Sequence, residues 1–392
     1  MCSAPLVTSP NASNIQIAPV RDKQDLLAFV EFPFMLYRGD PYWVPPFIEE
    51  RLQFLDPKKN PFFDHARHQL FLARRAGDLV GTIGVAIDED YNSLHNERMA
   101  AFGFFETIDN QEVADALLGA AEQWARKQGM DFIRGPMNFT TNHEVGLLID
   151  GFDSQPVIMS TYNPRYYARL IGAQGYTKAM DLYSYIGELD ERIKNAPPKV
   201  YRVAESATKK AGIRIRKVNM RDFDEEVRRA REVYDQAWER NWGFVPLTEA
   251  EVKFLAKNIK PLIDPDLVLL AETSDGKPIG ISITLPDYNQ PLRLAGGGRM
   301  FPFGVLKFLW HRKKVTQARL WTMGVVKEYR SRGIDAVFYV ETARAALAKG
   351  YTHLDGSWIL ESNTMMNRII ERLGGQRYKT HRIYDKPLGT SG

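Results

Sequence analysis

The apolar pattern of this chain switches between a period of two and a period near 3.6 in the same order twice, and no other property constrains the fold as much. From Ile15 the chain alternates briefly (IQIAPVRD) and then turns helical through Leu36. Leu70 to Arg75 and Val80 to Asp88 flank Ala76-Gly77-Asp78, which reads as a hairpin with a short Gly-containing turn. A strand is expected from Met99 to Glu106. The spacing of Val113, Leu117, Leu118, Ala121 and Trp124 predicts a helix over Gln111 to Gln128, stopped by Gly129 and followed by a strand in DFIRGPM. These three make a β-α-β crossover. A helix at Asn163 to Ile171 and one or two strands within Tyr176 to Leu189 close the first half.

The order then begins again after Ala196-Pro197-Pro198, with a linking helix from Pro198 to Ala211 and a strand from Ile213 to Asn219. Helices are expected at Arg221 to Arg240 and Thr248 to Ile259, and a hairpin around Asp275-Gly276. Leu320 to Val326, Asp335 to Lys349 and His353 to Ile359 repeat the crossover. A helix from Asn363 to Leu373, the stop Gly374-Gly375 and the strand YKTHRIYDK complete it. The expectation is an α/β protein of two similarly ordered domains, 15–195 and 196–392, behind a flexible start at 1–14. A length of 392 residues suits two domains.

Composition narrows the function. At 44% hydrophobic and 26% charged residues the chain has material for sizeable cores, which excludes disordered and fibrous classes. A formal charge of +4 is too small to announce nucleic-acid binding, and none is expected. The one cysteine, Cys2, rules out an internal disulfide and thiol chemistry in a built site. No metal is expected: among seven histidines only His65 and His68 lie close, and they fit a surface turn equally well. With neither a signal-type start nor a run of about 18 apolar residues, the cytoplasm is the expected location.

The segment WTMGVVKEYRSRGID, Trp321 to Asp335, carries the strongest chemical signal. A buried strand runs into a turn and a helix begins at once. Such a turn aims backbone N–H groups and a helix N-terminus at one point, with Arg330 and Arg332 near, which suits a phosphate or pyrophosphate. Gly333 would let an anion approach the backbone. The alternative is a solvated basic turn.

This segment resembles the acyl-CoA-binding motif of the GNAT superfamily of N-acyltransferases. The family pattern is Gln or Arg, two residues, Gly, one residue, then Gly or Ala. Arg330 and Gly333 match it, behind the apolar strand end Met323-Gly324-Val325-Val326; Asp335 stands where the family has a small residue. LESNTMMNRIIERLGG also resembles the family's following helix, with a counterpart in YNPRYYARLIGAQGY, whereas TIDNQEVADALL in the first half has no such turn. The resemblance implies two tandem GNAT-like domains, each a mixed, mostly antiparallel sheet with a splayed central cleft, and acyl-CoA (acetyl or longer) as co-substrate of the second. Val325, Val326, Arg330, Ser331, Arg332, Gly333, Ile334, Asp335 and Asn363 would then bind it. The pantetheine would pair with the strand at 324–326, where a backbone N–H polarises the thioester carbonyl.

The family's acid tyrosine is replaced by Ile370, and by Leu170 in the first half. Glu361, just past the last crossover strand, is the first candidate for general base, against a solvated or capping carboxylate. The polar loop GPMNFTTNHEVGLLIDGFD follows a strand end, where open α/β sheets place ligands. Asn138, Thr141, His143 and Glu144, with Tyr166 near, are candidates for a substrate wall, against an ordinary structured loop. The insertion RMFPFGVLKFLWHRKK mixes apolar and basic residues, as a peripheral membrane contact through 299–314 or an entry for a greasy chain would; a helix packed between domains is the other reading. The expected activity is N-acyl transfer from acyl-CoA to a small-molecule or lipid-like amine. The alternative is a non-catalytic ligand-binding or regulatory protein on a degenerate scaffold of this type.

Overall fold

The computed structural model describes residues 15–389 except 211, 240 and 301–302; the start expected to be flexible, with Cys2, lies outside them. The strands are β1 (Ile15–Pro19), β2 (Ala66–Arg75), β3 (Asp78–Asp88), β4 (Met99–Thr107), β5 (Phe132–Gly135), β6 (Leu147–Asp150) and β7 (Thr177–Glu188) in the first half. The second half holds β8 (Ile213–Lys217), β9 (Val268–Thr273), β10 (Pro278–Pro286), β11 (Gln317–Val325), β12 (His353–Leu360) and β13 (Gln376–Pro387).

They form one sheet in the order β1-β2-β3-β4-β5-β13-β7-β12-β11-β10-β9-β8, with β6 beside β13. Two pairs are parallel, β4 with β5 and β11 with β12. These are the pairs whose crossovers carry the helices Gln111–Lys127 and Ile334–Ala348, as parallel neighbours require. The fold is the mixed, mostly antiparallel α/β tandem that the order of elements implies.

The centre of the sheet is where the halves trade strands. β7, the last strand of the first half, pairs along β12 from His353↔Glu188 to Leu360↔Leu182. β13, the last of the second half, pairs with β5 from Tyr384↔Gly135 to Pro387↔Phe132, and with β7 on its other edge. Backbone pairing therefore crosses the Pro197-Pro198 joint in four strand pairs, β12 with β7 and β13 with β5, β6 and β7. A strand with both edges bonded leaves no donor or acceptor row unmet, so each half closes its sheet only with the other's terminal strand.

Helices cover both faces. The first half packs Val113, Leu117, Leu118 and Ala121 of Gln111–Lys127 against β3, β4 and the helix Tyr167–Ala173. On its other face Phe29 and Val30 of the helix Lys23–Leu36 meet Phe62, Leu72 and Phe139. In the second half Val233 of the helix Phe223–Trp238 and Phe338 of Ile334–Ala348 sandwich Ile279 and Ile281 of β10. Five helices of seven residues each, Ile48–Phe54, Glu89–His95, Tyr167–Ala173, Leu189–Asn195 and Asn289–Ala295, include four that periodicity does not reveal, because two turns are too short to show a face. The stretch 176–189 is a single strand.

Because β13 completes the first-half sheet, polypeptides 1–195 and 196–392 produced separately should each be unfolded or aggregated. Mixing them during refolding should restore a 1:1 complex with the far-UV circular dichroism of the intact chain. A monomeric, cooperatively melting 1–195 fragment would contradict the exchange.

Candidate active site

The site begins where a ladder ends. β11 and β12 pair only over Gln317–Leu320 and His353–Gly356, then separate. At the first residue past the ladder, the Ser357 carbonyl accepts from Nε and Nη2 of Arg319 at 3.4 and 3.2 Å, and Nη1 of the same guanidinium donates to the Ile158 carbonyl. Arg319 is 2% exposed, and a buried guanidinium must be surrounded by acceptors. The carbonyl that would extend the ladder is thereby turned to a side chain.

β11 remains paired with β10 through Gly280↔Val325, so from Trp321 to Val325 its other edge has no strand partner. Trp238, from the helix Phe223–Trp238, lies over this stretch: a Cβ on Gly324 would stand 2.3 Å from its ring.

The turn beyond β11 has the features of an anion cradle. Gly333, at φ 84°, opens the helix Ile334–Ala348 without a side-chain cap, so the first N–H groups of that helix have no partner within it. Ser331 is also left-handed, at φ 62°. Arg330 is turned inward, Nε donating to the Val325 carbonyl at 3.1 Å and Nη2 to that of Ala237 at 2.8 Å, which ties the turn to β11 and to the helix carrying Trp238. Arg332 lies over the Tyr329 ring. Neither arginine pairs with the exposed Asp335. Gly333 has a second role besides its dihedral: a Cβ there would lie 2.7 Å from Val203, on the helix Pro198–Lys210 packed behind the turn.

Between the halves, beside the open edge of β11, lies a cavity of about 330 Å3. Trp321, Met323 and Ser357–Leu360 of the splayed strands form one wall, Tyr234, Trp238, Trp242 and Phe244 another, and Val252, Leu255 and Ile259 of the helix Glu249–Ile259 a third. Thr141, Asn142, His143 and Met159 enter from the first half. Asn142 donates to the Val245 carbonyl at 3.0 Å and accepts from the Tyr234 hydroxyl at 2.9 Å, while Thr141 donates to the Gly243 carbonyl at 2.5 Å. The polar loop is thus bonded to the second half.

His143 is the ionisable group whose setting suits proton transfer. Its ring meets Phe54 and Phe62 edge-on at 4.8 and 5.5 Å, which restricts its rotation. Nδ1 stands 2.9 Å from the Asn138 carbonyl; since a carbonyl only accepts, Nδ1 carries the proton and Nε2 the lone pair. Burial holds its pKa below the ordinary histidine value, against the pull of the Asn138 carbonyl and neighbouring carboxylates.

Of the residues expected from sequence, Thr141, His143 and Asn363 border the cavity, and Asn363 also caps the helix Thr364–Arg372 through Met366 N at 3.2 Å. Val325, Val326 and 330–335 form the adjoining edge and turn, with Val326 N donating to the Ile279 carbonyl at 3.0 Å. Glu361 does not border the cavity. It accepts from Lys178 Nζ at 2.6 Å and from Asp181 N at 3.1 Å. Tyr166 donates to the Thr107 carbonyl at 2.7 Å, inside the first half. The aromatic wall is not among the residues expected from sequence; Tyr234 and Trp238 at i, i+4 followed by Asn241-Trp242-Gly243-Phe244 carry its signal.

Asn138 and Glu144 belong to a different construction. β4 and β5 part after Met99–Ala101 and Phe132–Arg134, as β11 and β12 do, but this second cleft is filled by the chain itself. Met137 N donates to the Phe102 carbonyl at 2.7 Å, and Asn138 Oδ1 accepts from Phe104 N at 2.9 Å. Asn138 donates in turn to Glu144 at 2.7 Å, and Glu144 takes a two-pronged pair from Arg51 at 2.8 and 2.5 Å. Behind them Glu106, pushed up to about 7 by burial, accepts from Tyr167 and Tyr37 at 2.7 and 2.9 Å. Beyond β4, Asn110 caps the helix directly, in place of an anion turn.

No family model matches the sequence. A bacterial ceramide synthase of Caulobacter vibrioides is 38% identical over 395 residues, covering 97% of this chain and 99% of that protein. Protein YghO of Escherichia coli is 37% identical over 373 residues, 94% of each. Among solved structures, a tandem GNAT protein from the clavulanic acid biosynthesis pathway matches 96% of this chain and 100% of its own, with a TM-score of 0.60 at 12% identity. A GCN5-related N-acetyltransferase from Sphaerobacter thermophilus matches 96% of each at a TM-score of 0.53 and 15% identity. The chain belongs to the family of these two bacterial relatives and has the GNAT fold. Within that splayed-strand fold, it keeps one cleft open and plugs the other.

The plug makes Gly103 irreplaceable. A Cβ there would lie 2.0 Å from the Met137 carbonyl oxygen, a backbone atom. Gly103→Ala should therefore lower stability by roughly 2–4 kcal/mol, an overpacked core position, read as a shift of the urea midpoint at unchanged slope. Gly119→Ala, where a Cβ meets nothing within 4 Å, is the control with no loss.

Proposed function

We propose that this protein is an N-acyltransferase that moves a long-chain acyl group from acyl-CoA to the amine of a lipid-like amino alcohol. The observation that carries the reading is the largely apolar cavity beside the unpaired edge of β11 and the uncapped helix at Gly333. The N–H groups of 331–335 would take the pyrophosphate, the 322–326 edge the pantetheine, and the aromatic wall the chains. Identity of 38% across nearly the whole of a protein named as a ceramide synthase supports this substrate class, since a ceramide is the amide of a long-chain amino alcohol and a fatty acid. By the resemblance to the GNAT motif, the thioester would lie at the backbone of Val325.

His143 would act as the base. The amine, bound as its neutral form after losing the ammonium proton to solvent, forms the C–N bond to the thioester carbonyl carbon and gives a proton to Nε2. The C–S bond then breaks and the thiolate takes that proton back, so one imidazole serves both steps and returns unchanged. Burial keeps it neutral and ready at pH 7.

Asp335, exposed on the first turn without an arginine partner, favours a second reading, a ligand-binding protein on this scaffold. Mass spectrometry of reactions with acetyl-CoA or palmitoyl-CoA and a long-chain amino alcohol decides between them. Amide formation, faster with palmitoyl-CoA, is expected. His143→Gln should cut kcat by about 100-fold or more while leaving acyl-CoA affinity in calorimetry unchanged. At saturating amine the histidine limb of the wild-type rate should lie below the usual histidine pKa of about 6.5, because burial lowers it; that limb should vanish in the variant, while the limb from protonation of the amine itself remains in both. Acyl-CoA binding with no amide from any such amine would establish the second reading.

A further inference from the structure

We infer that the helix Gly304–His311 is a docking surface for the headgroup region of an anionic lipid bilayer. Phe303, Leu306, Leu309 and Trp310 are 67, 63, 49 and 74% exposed, and Leu294 on the adjoining helix is 56% exposed. Five of the nine exposed large apolar residues among those described thus lie on two neighbouring helices. Positions 303, 306 and 310 repeat at helical spacing and form an outward stripe. A patch of this kind on an otherwise ordinary surface marks a contact.

The charge around the stripe selects the occupant. Between Asp287 and Glu328 the sequence has no Asp or Glu, yet it holds eight Lys or Arg, six of them (Arg293, Arg299, Lys307, Arg312, Lys313 and Lys314) on or beside the two helices. Lys307, Lys313 and Lys314 are exposed at and just beyond the helix. The whole chain nets only +4, so this segment is a local concentration of positive charge. Exposed apolar rings and leucines flanked by lysines match an anionic interface, where the lysines meet lipid headgroups and the apolar side chains reach the acyl boundary. No helix among the described residues is long and apolar enough to cross a membrane, so the contact would lie on the surface of the bilayer.

The platform is fixed in place. Ile48 N donates to the Gly298 carbonyl at 3.0 Å and Gly298 N to that of Pro46 at 3.2 Å, tying the segment before the helix to the first half. On the inward side Phe308 packs against Phe47 and Tyr288 at 6.3 and 5.8 Å between ring centres. Phe308 shares an apolar cluster with Met159, Ile263 and Trp321, which line the cavity. The outward stripe and the cavity are therefore two sides of one apolar layer. The docking inference stands whether or not the catalytic reading does.

Cosedimentation of the full chain with sucrose-loaded vesicles tests it. Binding to vesicles of phosphatidylcholine with about one-third phosphatidylglycerol is expected at low salt, with weak binding to pure phosphatidylcholine. Reversing Lys307, Lys313 and Lys314 to Glu one at a time should lower the partition coefficient about fivefold each. Leu306→Gln/Leu309→Gln/Trp310→Gln should lower it at least tenfold with an unchanged melting temperature, since these side chains are exposed. A wild type that stays in the supernatant with anionic vesicles overturns the inference. So does a triple variant that binds as well as wild type, or light scattering that shows a wild-type dimer abolished by the triple change without vesicle binding.

Discussion

Everything in this molecule hangs on two strands lying side by side, β7 and β13, each bonded on its outer edge to a strand of the other half. β-pairing has no tolerance for a missing neighbour in the middle of a sheet: the exposed row of amides and carbonyls would have to find water inside a packed core. The exchange therefore makes the halves one cooperative body and fixes the distance between their clefts. It also brings the loop after β5 to the second half, because β6 at its end pairs with β13. Thr141, Asn142 and His143 reach the second-half cavity by that route.

The two clefts show how one geometry supports opposite outcomes. Both arise where a parallel pair separates after a few residues. In the first half the freed edge of β4 is bonded by Met137 and Asn138, with Gly103 making room, and the loop is clamped from behind by the Arg51–Glu144 pair. A bound chain in that cleft would have to displace backbone hydrogen bonds and break a partly buried, two-pronged ion pair. In the second half the edge of β11 past Leu320 has no strand partner, and the Trp238 ring lies against the face at Gly324. Arg319 maintains the separation by occupying the Ser357 carbonyl.

Much of this was legible in the residues, and the losses have physical causes. Alternation and 3.6-residue spacing report local burial, so the hairpins, both crossovers and the helix after Gly333 were readable. So was the contrast between KEYRSRGID, which keeps a turn, and TIDNQEVADALL, which does not. Strand partners are a long-range property: β13 reads equally well beside β12 or beside β5, and nothing local to YKTHRIYDK chooses. Glu361 looked catalytic because it ends the right strand, but Lys178, its ion-pair partner, is supplied by β7, the exchanged strand. His143 was found as a polar residue in a suspect loop. Its tautomer and its aromatic confinement depend on Asn138, Phe54 and Phe62, which only the folded chain gathers.

The placement of apolar surface bears directly on which substrates the cavity would favour. A long-chain amine or acyl group in water must shed its hydration shell to enter a protein, and the gain grows by about 0.8 kcal/mol with every methylene buried. A polar amine gains nothing from a wall of Trp238, Trp242, Phe244 and Trp321, so such a wall would not favour it over water. With an apolar layer that runs from the cavity through Trp321, Tyr288 and Phe308 to the exposed stripe at Leu306 and Trp310, a chain could pass from bilayer to thioester without full exposure to water. The turn after β11 is of another kind, since the helix that opens at Gly333 has no side-chain cap and leaves its first N–H groups unpartnered within it.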